Sequence, residues 1–380
     1  MTTTEMGREA WTLSNGETDL AVTVRGGHMA PVRFFADTDS PVEPYYVSPW
    51  QEEDGPVPGP GVLDPLRGDF FCMPFGGDNA YGGETHPVHG EVSEGEWRFL
   101  VSSDAGGAPA GAEAFLEAEL ETTARPGRVT KRIAIRTGQS ALYVSHRIKG
   151  FAGPVTLGHH AVMRGDRVHH LSCPRLITGI TDTAPPPPST REYASMPPGA
   201  FFEDLSAVPT IWKNPDVTDC SVFPAREGFC DIIQVFPETP NAGEPLWFAA
   251  AVPSHGYLWY SLKNPAVLPS TVLWQENRGR HGSPWNGRNR CLGIEEVLAH
   301  LATGLAASVA DNALTARGLR TSMVLDGSAP FEVKNIQGVC RIPAGFERVA
   351  TVRFEDEAVI FADAAGLTAE ARVDWTFVMA

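Results

Sequence analysis

No stretch of this sequence reaches the roughly 18 consecutive apolar residues that cross a bilayer as a helix. Its first residues, MTTTEMGREAWTLSNG, lack the basic-then-apolar pattern of a secretory leader. A basic balance is missing too: 30 Lys and Arg against 46 Asp and Glu leave a formal charge of −16, which opposes binding to nucleic acid or an anionic membrane. Cysteine is sparse. The six residues (Cys72, Cys173, Cys220, Cys230, Cys291, Cys340) are scattered and form no C-x-x-C pair. A chain of 380 residues builds a core without staples, so these are expected as buried free thiols. The reading is a soluble, cytoplasmic protein with no nucleic-acid or membrane partner; nothing in the sequence speaks to its oligomeric state.

Reactive motifs are also missing. There is no G-x-S-x-G elbow, and no cysteine has an electropositive setting. VPGPGV and PFGGDNAYGG lack the lysine and the following helix of a phosphate loop.

What the sequence has in quantity is glycine, 38 residues, and proline, 32. With 42% hydrophobic residues, that composition fits many short strands joined by turns and not a helical bundle. DLAVTVRGGHMAPVRFFA alternates on both sides of Gly26-Gly27 and reads as a hairpin. Three alternating runs separated by ARPG and TGQS predict an antiparallel meander over 115–149. FEVKNIQGVCRIP, ERVATVRFED and ARVDWTFVM predict three more strands near the carboxy terminus. Antiparallel strands with few crossover helices imply sheets stacked face to face, in one all-β domain over 1–380. One helix is expected to start near Glu295, from Val297, Leu298, Leu301, Leu305 and Val309 at helical spacing. Residues 181–220, with APPPPST and SMPPGAF, read as a long proline-rich excursion on the surface, either a lid over a site or an ordinary structured insertion, the latter preferred.

Eleven histidines are the chemistry to sort. His86 and His89 sit in GGETHPVHGEVSEGEW, His159 and His160 in VTLGHHAVMR, His169 and His170 in GDRVHH. A catalytic metal needs about three imidazoles or carboxylates converging on one point. H-P-V-H holds a proline that disfavours a helix, and on a strand residues three apart face opposite ways. The residues therefore weigh against metal, although a loop could still bring His86 and His89 together. Acid–base chemistry remains, with Glu276, Glu295 and Glu296 as carboxylates. Burial at the end of CLGIEEV would raise a carboxyl pKa and make a stronger base; the other reading is two solvated acids at a helix N-terminus.

Several segments, in order, resemble the aldose 1-epimerase (galactose mutarotase) superfamily, nearer its hexose-6-phosphate epimerase branch. They are GGHMAPVRF, LRGDFFCMPFGGDN, HGEVSEGEW, VTLGHHAVM and LWQENRGRHGSPWNGRNRCLGIEEV, spanning about 20–165 and 245–300. The resemblance implies an antiparallel β-supersandwich. It also implies a mutarotase that interconverts α and β anomers of an aldose without metal or organic cofactor, its partner a small sugar or sugar phosphate. Carried over, Glu295 is the base, ionised; His160 is the acid, protonated, with His159 as its alternative; His89 binds a sugar oxygen. Arg67, Asn79, Trp274 and Phe75 would line the sugar cleft. Apart from the resemblance, the forked guanidiniums of Arg67, Arg280 and Arg288 suit a phosphate, the other reading being arginines on a solvated surface. His86 falls outside the pattern and reads as local structure. HHAVM lacks the aromatic residues the family has there, and Glu296 stands where it usually has proline. Two rivals stand beside the mutarotase: a catalytically silent carbohydrate-binding protein on the same sandwich, and a metal-dependent sugar isomerase or lyase.

Overall fold

The computed structural model describes residues 2–77, 79–103, 111–183, 192–239 and 241–380. Two large antiparallel sheets dominate, one of nine strands and one of seven. The predicted meander is the strands Glu113–Thr122, Gly127–Arg136 and Ala141–Gly150, paired in register within the nine-stranded sheet. The hairpin read around Gly26-Gly27 is the pair Thr18–Thr23 and Met29–Phe34.

Alternation along each strand sends one set of side chains to the space between the sheets. Ile133, Val144, Trp259 and Val333 come from the nine-stranded sheet, and Ala161, Leu273, Leu292 and Ile294 from the seven-stranded one, in a single buried cluster. The outer face of the nine-stranded sheet is dry as well. A three-stranded sheet of Thr351–Glu355, Ala358–Ala362 and Thr368–Arg372 lays Val359 and Phe361 over Tyr260 and Leu262. The strand expected from ARVDWTFVM therefore ends early, at Arg372, and the chain finishes in a 3-10 turn, Trp375–Val378.

One expectation is overturned. No helix begins near Glu295: that residue lies in the strand Arg290–Leu298, and the α-helix among the described residues is Leu305–Val309. Residues 291–298 are buried on both faces, so their near-continuous apolar run carries no period that separates strand from helix. The 181–220 segment is packed against the domain where it is described. The run APPPPST, 184–190, lies outside the described residues, but Met196, Leu205, Val208 and Cys220 beyond it are buried in the central cluster.

All six cysteines are free thiols, five of them buried and Cys173 partly so. No described helix is long and apolar enough to cross a membrane.

Candidate active site

Three adjacent strands of the seven-stranded sheet build the site: Leu157–Arg164, Ser270–Asn277 and Arg290–Leu298. Their register places His160 opposite Glu295, and Glu295 opposite Val272. Because side chains alternate, all three share the outer face, while His159, Glu296 and Thr271 share the inner one. The adjacent histidines and adjacent glutamates are thereby sorted into two pairs, one on each side.

The inner pair is structural. His159 Nδ1 lies 3.0 Å from Asp69 Oδ2. Glu296 accepts from Ser261, from Thr271 (2.7 Å) and from Lys263, all buried. Neither glutamate is a solvated helix-start acid.

The outer pair faces a cavity of about 270 Å³ lined by Phe70, His89, His160, Trp274, Trp285 and Glu295, with Arg280 at its wall. His160 Nε2 lies 3.3 Å from Glu295 Oε1. Phe70 stacks on the His160 ring at 4.5 Å and on His28 at 4.1 Å, so the catalytic-candidate imidazole is one plate of a three-ring stack. The far plate is fixed in turn. Arg67 donates its backbone N–H to His28 Nδ1 (3.3 Å), which leaves the Nε2–H to donate to the Ser93 carbonyl at 2.9 Å.

His89 comes from the loop after the strand Glu84–His86 and stands edge-on to His160, ring centroids 5.1 Å apart. Its backbone is left-handed, φ +61°, a conformation uncommon outside glycine that aims the ring inward. Gly76 N–H donates to His89 Nδ1 (3.3 Å), so the neutral ring carries its proton on Nε2. His86, by contrast, is paired with Glu84 (3.2 Å), itself held by Arg125, and is local structure.

Burial sets the charges. It pushes the Glu295 carboxyl up to about 8, although nearby Arg280 pulls it down. It drives His160 well below the ordinary imidazole value, helped by the neighbouring His89 and His28 rings. Burial and then Arg280 lower His89 to about 4. The expected resting state of ionised Glu295 beside protonated His160 is therefore corrected: at neutral pH the pair rests uncharged, holding one proton between an acid and a base.

Of the expected cleft residues, Trp274 lines the cavity, its ring edge-on to His160 and to Trp285. Three others do not. The Arg67 guanidinium donates to the carbonyls of Glu5 and Met6 (both 2.9 Å) and to Gln51 Oε1 (2.6 Å), fastening the amino-terminal segment. Asn79 donates to Gly76 O (2.8 Å) and accepts from Leu305 N–H (2.9 Å), leaving its amide inside the loop it braces. Phe75 is fully buried behind His89, rings 5.0 Å apart. Arg280 is the cation at the wall instead, over Trp274 and Trp285 at 5.2 and 5.0 Å. Its Nε is 3.3 Å from Glu192 and 3.8 Å from Glu276. Trp285 was not anticipated. Among the described residues, no three His, Cys, Asp or Glu side chains group as a metal site requires.

This arrangement of sheets is the galactose mutarotase-like β-sandwich. Among solved structures, the chain is similar to a galactose mutarotase-like protein from Clostridium acetobutylicum (9% identity, 90% of this chain and 98% of that one, TM-score 0.59). It is similar also to a galactose mutarotase-like protein from Lactobacillus casei (13%, 87% and 99%, 0.53) and to galactose 1-epimerase from Lactobacillus acidophilus (11%, 89% and 96%, 0.51). At these identities the likeness is one of fold. No protein-family sequence profile and no curated protein sequence matches the chain.

Proposed function

We propose that the protein is an aldose 1-epimerase-like mutarotase acting on a small sugar, with Glu295 and His160 as its acid–base pair. The observation that carries this reading is their contact: Nε2 and Oε1 at 3.3 Å, both buried, at the wall of a sugar-sized cavity. Mutarotation removes a proton from the anomeric hydroxyl and adds one to the ring oxygen, and both oxygens are bonded to the same carbon. The two catalytic groups must therefore stand side by side, not on opposite sides of the acetal.

The proton held by the resting pair passes from Glu295 to His160, and Glu295 then takes the hydroxyl proton while His160 delivers its own to the ring oxygen. The bond between C1 and that oxygen breaks, the open aldehyde turns about C1–C2, and reclosure returns both protons. Throughout, the pair and the sugar exchange protons without changing their total charge, which suits a site where burial penalises any net charge. His89 offers its Nε2–H to the oxygen on which charge develops. Trp274 and Trp285 supply apolar faces for the sugar ring.

Polarimetry or NMR on freshly dissolved aldoses is the test. The protein should accelerate anomer exchange, and Glu295→Gln or His160→Asn should each remove about 10²–10⁴ of the acceleration. Full activity in Glu295→Gln would rule the assignment out. Saturable sugar binding without faster exchange would favour the silent carbohydrate-binding reading.

A further inference from the structure

His28 belongs to GGHMAPVRF, the first segment of the family resemblance, yet the acid–base chemistry leaves it without a part. It is fully buried and stands one ring removed from His160.

The way His160 is held gives His28 a role. A catalytic imidazole is ordinarily oriented by a hydrogen bond at the nitrogen turned away from the reaction. His160 Nε2 faces Glu295, and its buried Nδ1 has no hydrogen-bond partner among the described residues. The ring lies instead against Phe70, 19° from parallel, and Phe70 lies 13° from parallel to His28. Phe70 has no polar group in its side chain, so its plane depends on what backs it.

His28 is the plate that polar bonds fix. Both ring nitrogens are engaged, one by the Ser93 carbonyl and one by the Arg67 N–H. Its backbone N–H donates to Thr23 Oγ1 and its carbonyl accepts from Thr23 N–H, both at 2.9 Å. The neighbouring Gly27 carbonyl accepts from Lys131, a buried ammonium that reaches over from the nine-stranded sheet. Gly26 clears the seat for the ring, since a Cβ there would lie 2.6 Å from His28 Cδ2. Burial lowers the imidazole to about 3, so the plate stays uncharged through neutrality and keeps both bonds.

We infer that His28 is a positioning residue for the acid–base pair: through Phe70 it holds the His160 ring in the plane that turns Nε2 toward Glu295. For its effect on turnover this role rests on the mutarotase reading; its effect on the ring rests on the stack alone.

Two variants separate the plate from its anchors. His28→Phe keeps a flat ring and loses both polar bonds, while His28→Asn keeps a donor and an acceptor and removes the plate. The kcat for mutarotation should fall about tenfold in His28→Phe and about 10²-fold in His28→Asn, with KM within about twofold. NMR of protein carrying isotope-labelled histidine reads the ring directly, with His160→Asn to assign its signals. The face of Phe70 shields the His160 ring protons, and their resonances should move downfield in both variants as Phe70 loses its backing. Unmoved His160 resonances in the folded variants would overturn the proposal. So would a raised KM at unchanged kcat, or a kcat within twofold of the unaltered protein in both. If the unaltered protein accelerates no anomer exchange, the mutarotase reading fails, and the resonances still decide whether His28 sets the His160 ring.

Discussion

Gly293 leaves room for Glu295: a Cβ on Gly293 would lie 2.7 Å from Glu295 Oε1 and 3.0 Å from the Trp274 Cβ. The catalytic-candidate carboxylate thus occupies space that any other residue two positions earlier would claim. Gly293→Ala must push the carboxylate away from His160 or shift Trp274. The expected result is a folded protein whose mutarotation is slower by about 10²-fold, since displacements near 1 Å cost on that order. Far-UV circular dichroism should match the unaltered protein. Undiminished turnover would show that the carboxylate has another place to go.

The Glu295 carboxyl, raised from 4.5 to about 8, ties stability to pH with a definite sign. An unfolded chain ionises this residue at its ordinary value, while the folded one keeps the proton to about 8. Between those two pH values the native state binds more protons, so its stability falls as pH rises. Glu295→Gln has no such proton to lose. Relative to the unaltered protein it should be close to neutral near pH 4 and stabilising by a few kcal/mol above pH 8. Urea unfolding at the two pH values reads this directly. Activity follows the same proton: it should hold through neutrality and decline above about pH 8, as the pair loses the one it shares.

Arg67 is expected to behave as a fastener. Its removal leaves the Glu5 and Met6 carbonyls and the Gln51 amide oxygen without their donor. Arg67→Ala should lower stability by about 2–4 kcal/mol and leave KM for sugar unchanged within twofold. A large KM effect in a variant with an unaltered melting curve would restore it to the cleft.

The all-β class, the 115–149 meander and the hairpin around Gly26-Gly27 were readable because antiparallel strands announce themselves by alternation and turn residues. Glu295 and the His159–His160 couple were singled out by the family resemblance. Which histidine of 159 and 160 faces the cavity was not readable. The answer depends on the pairing register, set by distant strands, and one residue of shift exchanges the faces. Arg67, Asn79 and Phe75 were misplaced for a related reason. Arg67 and Phe75 lie in loops and Asn79 in the short strand Asn79–Tyr81, where side chains answer to hydrogen-bond partners far along the chain, as Asn79 does to Leu305. Trp285 and Arg280 lie in a loop with no period at all, and only their shared stacking marks them. The helix expected near Glu295 failed because a strand buried on both faces has lost the alternation that identifies strands.

The back-to-back arrangement of His160–Glu295 and His159–Glu296 has a consequence for how this chain can vary. Two copies of the same residue couple sit on opposite sides of one ribbon, the first lining the cavity and the second sealed against Asp69 and Lys263. Loss or gain of a single codon in one strand would exchange that strand's residue alone, setting His159 beside Glu295 or Glu296 beside His160 and breaking both couples. Length in these two segments is thus under tighter constraint than side-chain identity, and drift here is expected to proceed by replacement, never by slippage.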